Sequence, residues 1–387
     1  MEMENVVSLR GCGDYSEDNV RSAIEGVFAP FGGISAVVKS GDNVYLKLNF
    51  VSGKEPSRAV TTHPMITRVV AKMCLECGAS VVCGDSSGGL YNKAHMSKVY
   101  KITGTEDAIA DLDATMNEDF GSTIIPVAGK VATELEVTDS VLKADVVINL
   151  AKLKTHTLTR YTGAVKNLFG IIPGLKKVSV HGEYQSLDRF FDYLFDINIA
   201  VKDKVAFHIV DGVMAMEGEG PTAGDVKKMG VIFGGKNPFA VDYIGTSLIG
   251  EVENFPQNGY ASERGLLDVS AVEVVGEKVA DYKKEFEIPA PRPDANLFDK
   301  YPKFVTKLIK KLYMTYPAVA KQDCRGCQKC AKHCPPKAID MSSGKAVFDY
   351  DKCIRCFCCQ ELCPFGVIKI KKPIGARVLA KRKAKKN

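Results

Sequence analysis

No stretch of the chain approaches the roughly 20 successive apolar residues that a membrane-spanning helix requires. Met1-Glu2-Met3-Glu4-Asn5 is acidic and leads into no apolar segment, so no signal peptide is expected. No complete Gly-x-Gly-x-x-Gly occurs. Gly11-Cys12-Gly13 follows a candidate strand, but Ser16 holds the third glycine position, which leaves no case for a dinucleotide fingerprint. Charge is not strongly one-sided either: the net value is +6, much of it in the run Lys381-Arg382-Lys383-Ala384-Lys385-Lys386. No nucleic-acid recognition motif accompanies that run, so no nucleic-acid partner is expected. It reads as a solvated tail or a weak handle for an acidic redox partner.

What the chain does have is cysteine, thirteen in 387 residues, and eight of them recur at one spacing. Cys324-x-x-Cys327-x-x-Cys330-x-x-x-Cys334-Pro335 is repeated 29 residues later as Cys353-x-x-Cys356-x-x-Cys359-x-x-x-Cys363-Pro364. This is the spacing of bacterial two-cluster ferredoxins, in which the fourth cysteine of each run crosses to the other cluster. Two 4Fe-4S clusters are therefore expected. Cys324, Cys327, Cys330 and Cys363 hold one, and Cys353, Cys356, Cys359 and Cys334 the other. Cys358 aligns with Lys329 rather than with a cysteine of the first run and is left out of the ligand set. Zinc also takes paired Cys-x-x-Cys ligands, but not three cysteines at two-residue gaps closed by Cys-Pro, twice over. Free thiols and oxygen-sensitive clusters suit a reducing compartment, and a cytoplasmic location is expected.

Length and an ordinary composition, 45% hydrophobic and 25% charged, point to two or three domains. Residues 1–289 alternate short apolar runs with amphipathic segments, the pattern of an α/β domain with a largely parallel sheet and flanking helices. Candidate strands are Asn5–Leu9, Asn43–Phe50, Ser80–Cys83, Asp145–Leu150, Val205–Val210 and Met229–Phe233. A helix should start at Thr62 or His63, with Pro64 in its first turn, and stop at Gly78. That places Cys74-x-x-Cys77 at the negative end of the helix, where a low thiol pKa is not favoured, so the pair reads as core packing. Residues 290–317 form a linker and an amphipathic helix. Its apolar face carries Tyr301, Phe304, Val305, Leu308, Ile309, Leu312, Tyr313 and Tyr316, and Lys303, Lys307, Lys310 and Lys311 lie opposite. Docking on the body is preferred to a membrane-surface role. Residues 318–372 form the small α+β ferredoxin-like domain, and 373–387 the basic tail.

Five polar clusters follow the candidate strands of the large domain: Lys47 and Asn49; Asp85-Ser86-Ser87-Gly88-Gly89; Lys152, Lys154, Thr155 and His156; Asp211-Gly212; and Gly234-Gly235-Lys236. Ligands of open α/β sheets bind beyond the carboxyl ends of strands, so these clusters are expected to converge. Lys47, Asn49, Lys152, Lys154 and Lys166 would hold an anionic substrate. Thr162-Gly163-Ala164 could open a short helix that receives an anion. His156 is the best-placed proton carrier, with His181 and His63 behind it, and Asp85 or Asp211 the acid/base partner. Asp85, Asp211, Glu217, Glu219 and Asp242 offer oxygen ligands for a divalent cation, or acid/base groups, and the large domain is a candidate site for such a cation or a small-molecule cofactor. Each also has a structural reading, since polar residues at strand ends commonly cap the next helix.

Leu46-Lys47-Leu48-Asn49, Thr62-His63-Pro64, Gly84-Asp85-Ser86, Lys152-Leu153-Lys154-Thr155-His156, Gly163-Ala164-Val165-Lys166-Asn167-Leu168-Phe169-Gly170 and Asp211-Gly212 resemble the domain of unknown function 362 family. The resemblance spans roughly residues 5–280. It implies a two-cluster ferredoxin module at the C-terminus of many members, and no established reaction. The Lys/His loops bear a fainter similarity to the lactate racemase domain, from which no nickel site is carried over. The functional expectation is an iron-sulfur oxidoreductase that passes electrons between its clusters and an anionic substrate or second cofactor in the large domain. The alternative is a non-catalytic electron-transfer or assembly protein whose large domain binds a partner.

Overall fold

The computed structural model describes residues 4–290, 302–320, 322–373 and 375. The basic run Lys381–Lys386 and most of the segment joining the two domains lie outside the described residues.

The large domain is built on a nine-stranded mixed sheet. Its strands are β1 (Val6–Gly11), β2 (Asn43–Lys47), β3 (Ser80–Gly84), β4 (Ala114–Met116), β7 (Val146–His156), β8 (Arg160–Thr162), β9 (Val205–Glu217), β10 (Asp225–Gly235) and β11 (Glu273–Gly276). β5 (Ser122–Pro126) and β6 (Glu134–Thr138) form a separate antiparallel hairpin. The order is β11-β1-β10-β9-β7-β2-β3-β4, with β8 paired to β7. β2, β3, β4, β7 and β9 run parallel, whereas β10 is antiparallel to both its neighbours. Helices cover both faces. Glu17–Phe28 and Pro64–Glu76 pack on a core with Leu46, Ile148 and Phe207; Leu187–Ala200 and Pro238–Ile249 pack on the other with Ala151, Leu153 and Phe233. The α/β class with a largely parallel sheet is the observed architecture.

β7, β9 and β10 are longer than their sequence suggests, and the first two differences bear on function. β7 runs on past Leu150 to His156, so Lys152, Lys154, Thr155 and His156 belong to a buried strand and not to a loop after one. Alternation explains it: Leu153 and Thr155 face one side and Lys152, Lys154 and His156 the other. β9 likewise continues through Asp211-Gly212 to Glu217. The cluster Gly234-Gly235-Lys236 does not converge with the others. It ends the antiparallel β10, where Gly235 pairs with His208 near the start of β9, and so lies at the opposite edge.

The helix Pro64–Glu76 has His63 as its N-cap, and Gly78 follows with a φ of 82°. Cys74 is buried and Cys77 half-buried, and desolvation raises both thiol pKa values, as expected of packing residues. The amphipathic helix spans Lys303–Tyr313, and its docking is only partial: Leu308, Leu312 and Tyr313 are exposed. Tyr316 leaves the helix altogether and starts a strand, β12 (Tyr316–Ala318), which pairs with β15 (Lys369–Lys371). β13 (Ile339–Asp340) and β14 (Val347–Phe348) complete the small domain. Its two halves repeat in structure as in sequence. Gln328 and Phe357 both take a positive φ, and each opens a four-residue helix, Lys329–Lys332 and Cys358–Glu361.

Candidate functional site

Buried lysines are costly unless their charge is met, and here each is met differently. Lys47 Nζ lies 2.7 Å from Asp85 Oδ1 and donates to the Leu48 carbonyl at 2.6 Å. The other Asp85 oxygen accepts from Phe50 N–H at 2.5 Å. Gly170 seals this pair: a Cβ there would stand 2.2 Å from Asp85 Oδ1 and 2.6 Å from Lys47 Nζ. Lys152 Nζ lies 2.7 Å from Asp211 Oδ2 and donates to the Tyr15 hydroxyl at 2.9 Å. Asp211 also accepts from the Tyr15 hydroxyl at 2.8 Å and from the backbone N–H groups of His63 and Val213 at 3.0 and 3.2 Å. The His63 ring stacks on Tyr15 at 3.5 Å, and desolvation lowers its pKa to about 4.

Lys154 is held by neutral groups. It donates to Asn49 Oδ1 at 2.6 Å and to the Val60 carbonyl at 2.5 Å. Desolvation, then the charges of Lys166 and Lys152, holds its pKa well below the ordinary value. Asn49 in turn donates to Asn167 Oδ1, and Asn167 to Asn149 Oδ1, each at 2.7 Å. This amide chain fixes the turn between β8 and the next helix. The N–H groups of Ala164 and Val165 that were expected to receive a ligand anion instead donate to Asp242, at 2.6 and 3.1 Å. The protein supplies its own anion there, and burial raises the Asp242 pKa to about 7.

A cleft open on one side lies at the carboxyl edge of β2 and β3. Of the residues expected at a site, Asn49, Asp85, Lys166 and His181 line it. Lys47 and Lys154 stand behind that wall, bonded to Asp85 and Asn49. Lys152 and Asp211 form the separate cluster with Tyr15 and His63. Ser86, from the expected Asp85-Ser86-Ser87-Gly88-Gly89 cluster, also lines the cleft, as does Lys177, which belongs to none of the motifs read from the sequence. Lys177 donates to the Ser86 and Ile172 carbonyls at 2.8 and 2.7 Å, and desolvation lowers its pKa to about 7.

The remaining wall comes from the cysteine-rich domain: Cys358, Glu361 and Leu362 face the cleft. Glu361 Oε1 stands 3.5 Å from His156 Nε2, and neither atom has a hydrogen-bond partner. His156 Nδ1 accepts from Leu158 N–H at 3.0 Å, so the ring proton sits on Nε2, aimed at Glu361. Desolvation, followed by the charges of Lys166, His181 and Lys154, keeps His156 neutral by lowering its pKa well below the usual range. Burial raises the Glu361 pKa against the pull of Lys166 and Lys154. The sequence held one signal for this contact. In the 29-residue register Cys358 replaces Lys329 and Glu361 replaces Lys332, so the second run loses both its lysines where it meets the large domain.

Cys334, Cys353, Cys356 and Cys359 line a common void with Pro317, Ile339 and Phe348. Cys324 and Cys330 are buried in a small core with Ala346 and Ile368, and Cys363 packs against it. Backbone N–H groups of Ala338, Ala346 and Arg355 donate to the sulfurs of Cys334, Cys324 and Cys353 at 3.3 to 3.4 Å. Such bonds stabilise charge on cluster sulfurs. Among the described residues, no three His, Cys, Asp or Glu side chains converge closely enough for a single metal ion. The carboxylates considered for a divalent cation are bonded within the protein: Asp85 and Asp211 to lysines, Asp242 to backbone N–H groups, Glu217 to Lys227 at 2.8 Å, and Glu219 to Ile370 N–H at 3.3 Å.

The family model for the domain of unknown function DUF362 matches residues 44–247, more than half of the chain. The protein belongs to the DUF362 family. A 4Fe-4S dicluster domain matches residues 323–367, and the protein is an iron-sulfur protein of electron-transfer type. A thylakoid-associated protein of Synechocystis sp. is 32% identical over 254 residues, 64% of this chain and 75% of that protein. One component of an ion-translocating oxidoreductase complex from Methanosarcina acetivorans is 39% identical over 54 residues, 14% of this chain and 20% of that component. Among solved structures, the lactate racemase apoprotein from Thermoanaerobacterium thermosaccharolyticum aligns with a TM-score of 0.40 at 12% identity, over 63% of this chain and 57% of that one. A protein from Thermotoga maritima aligns at 0.32 and 13%, over 55% of each chain. Among the described residues, no helix is long and apolar enough to cross a membrane.

Proposed function

We propose that this DUF362 protein is an oxidoreductase in which electrons pass between the cysteine-rich domain and an anionic substrate or second cofactor in the cleft. One observation carries the reading: the cleft wall is shared, with Asn49, Asp85, Lys166 and Lys177 from the large domain facing Cys358, Glu361 and Leu362 from the small one. Cys334, Cys353, Cys356 and Cys359 are the ligand set of the cluster beside that wall, and Cys324, Cys327, Cys330 and Cys363 that of the second. When bound, the clusters supply one-electron transfer.

The rest is done by side chains. Lys47 and Lys152 are neutralised by Asp85 and Asp211, so the charge available to a ligand comes from Lys166 and Lys177. Those two bind its carboxylate or phosphate. Asn49 and Ser86 orient it through polar atoms on the same wall. Neutral His156 holds a proton at Nε2 opposite Glu361, where the cleft meets the small domain. The resemblance of the small domain to one component of an oxidoreductase complex supports exchange with a redox partner protein.

The test is reoxidation of the anaerobically reduced protein by a panel of small carboxylates and phosphorylated compounds. A compound that reoxidises the wild type at least tenfold faster than the Lys166→Met/Lys177→Met variant supports the reading. A panel that reoxidises neither, while a redox protein accepts electrons rapidly, rejects it.

A further inference from the structure

The 29-residue repeat makes the two halves of the small domain alike in sequence and backbone, yet their surroundings differ. Cys327 is exposed, while its counterpart Cys356 is buried. Lys329 and Lys332 are exposed, while their counterparts Cys358 and Glu361 close the cleft. Around Cys327 the surface is basic with an apolar centre. The Arg325 guanidinium sits 5.0 Å from the ring centre of Phe365, which is itself 43% exposed. The basic character continues onto the large domain, where His95 feels the positive charges of both Lys329 and Lys98. Asp323 is the acidic residue of this loop.

We propose that the two cluster sites are inequivalent. The site of Cys324, Cys327, Cys330 and Cys363 is an outward port that docks an acidic redox protein on Arg325, Lys329 and Lys332 with Phe365 at the centre. The site of Cys334, Cys353, Cys356 and Cys359 faces inward to the cleft. The proposal rests on the ligand sets proposed above, but not on any substrate in the cleft. Each encounter moves one electron between the partner and the port, with no proton or bond change. Two features favour an acidic partner over a second copy of this chain. The rim is positive, and the apolar centre is small, a combination that steers a transient partner through charge rather than area.

The probe is an acidic flavodoxin, titrated by calorimetry into the full-length, cluster-loaded protein at low and high salt. Wild type should bind at low salt and lose affinity steeply as salt rises. Lys329→Glu/Lys332→Glu should weaken low-salt binding by at least about tenfold and abolish the salt dependence. Lys329→Gln/Lys332→Gln should fall between. Iron content and reduction by dithionite should stay unchanged in both, and electron exchange with the flavodoxin should slow in step with binding. The proposal is overturned if wild type does not bind, or if either variant binds like wild type. It is also overturned if Lys39→Glu/Lys202→Glu, exposed at the opposite edge of the sheet, weakens binding as much. Failure of the substrate reading would appear only in reoxidation by small anions and would leave these results intact.

Discussion

Removing Asp211 tests whether the buried lysine pairs hold the large domain together. Lys152 and Asp211 side chains are 1% and 0% exposed and 2.7 Å apart. Asp211→Ala leaves an ammonium in a site with little water and removes the acceptor for Tyr15 and for the His63 and Val213 N–H groups. Breaking one side of a buried ion pair costs about 3–5 kcal/mol, because the remaining charge is uncompensated. Deprotonation of Lys152 offers a partial escape, so the lower half of that range is expected near neutral pH. Lys152→Met/Asp211→Asn removes both charges, while the Asn carbonyl in the Oδ1 position still accepts from the Tyr15 hydroxyl and the Val213 N–H. That double variant should recover to within about 1–2 kcal/mol of wild type. The assay is urea unfolding of the large domain followed by far-ultraviolet circular dichroism. A cost below about 1 kcal/mol for Asp211→Ala would refute the pairing argument, and a double variant as unstable as the single would refute its electrostatic origin.

Gly170→Ala forces a methyl group between Asp85 and Lys47. It should cost about 1–3 kcal/mol by the same unfolding assay, and an unchanged midpoint would show that the pair can move aside. Lys177, whose pKa burial brings down to about 7, is charged below that value and neutral above it. Binding of an anion in the cleft should therefore weaken as pH rises through 7, and Lys177→Met should remove the step; a step that persists in the variant would exclude this lysine. The same lowered pKa means the unfolded chain holds the extra proton between pH 7 and the ordinary lysine range, so this group's contribution makes stability rise with pH there. Cys334→Ala should lower iron content from about eight to about four per chain, whereas Cys358→Ala should leave it unchanged. Full iron in the first variant, or loss in the second, would overturn the ligand assignment.

Much of this protein is written locally. The doubled cysteine run, the helix from Pro64 to Glu76 with its His63 cap and Gly78 stop, and the α/β alternation all depend on spacing within a few tens of residues. Such features survive in a one-dimensional reading because they reflect backbone geometry and a fixed ligand count. The fate of each lysine does not. Lys47 and Lys152 look like Lys166 and Lys177 in sequence, yet Asp85 and Asp211, 38 and 59 residues away, neutralise the first two and leave the others facing the cleft. The burial of Lys152-Leu153-Lys154-Thr155-His156 in a strand is hidden for the same reason: a charged strand is stable only when distant acceptors are brought to it. The wall formed by Cys358, Glu361 and Leu362 required both domains at once. The sequence alone determined that the protein carries iron-sulfur clusters. Only the tertiary structure decided which of its charges are spent on holding the fold and which remain for a ligand, because pairing across the sheet sets the local field.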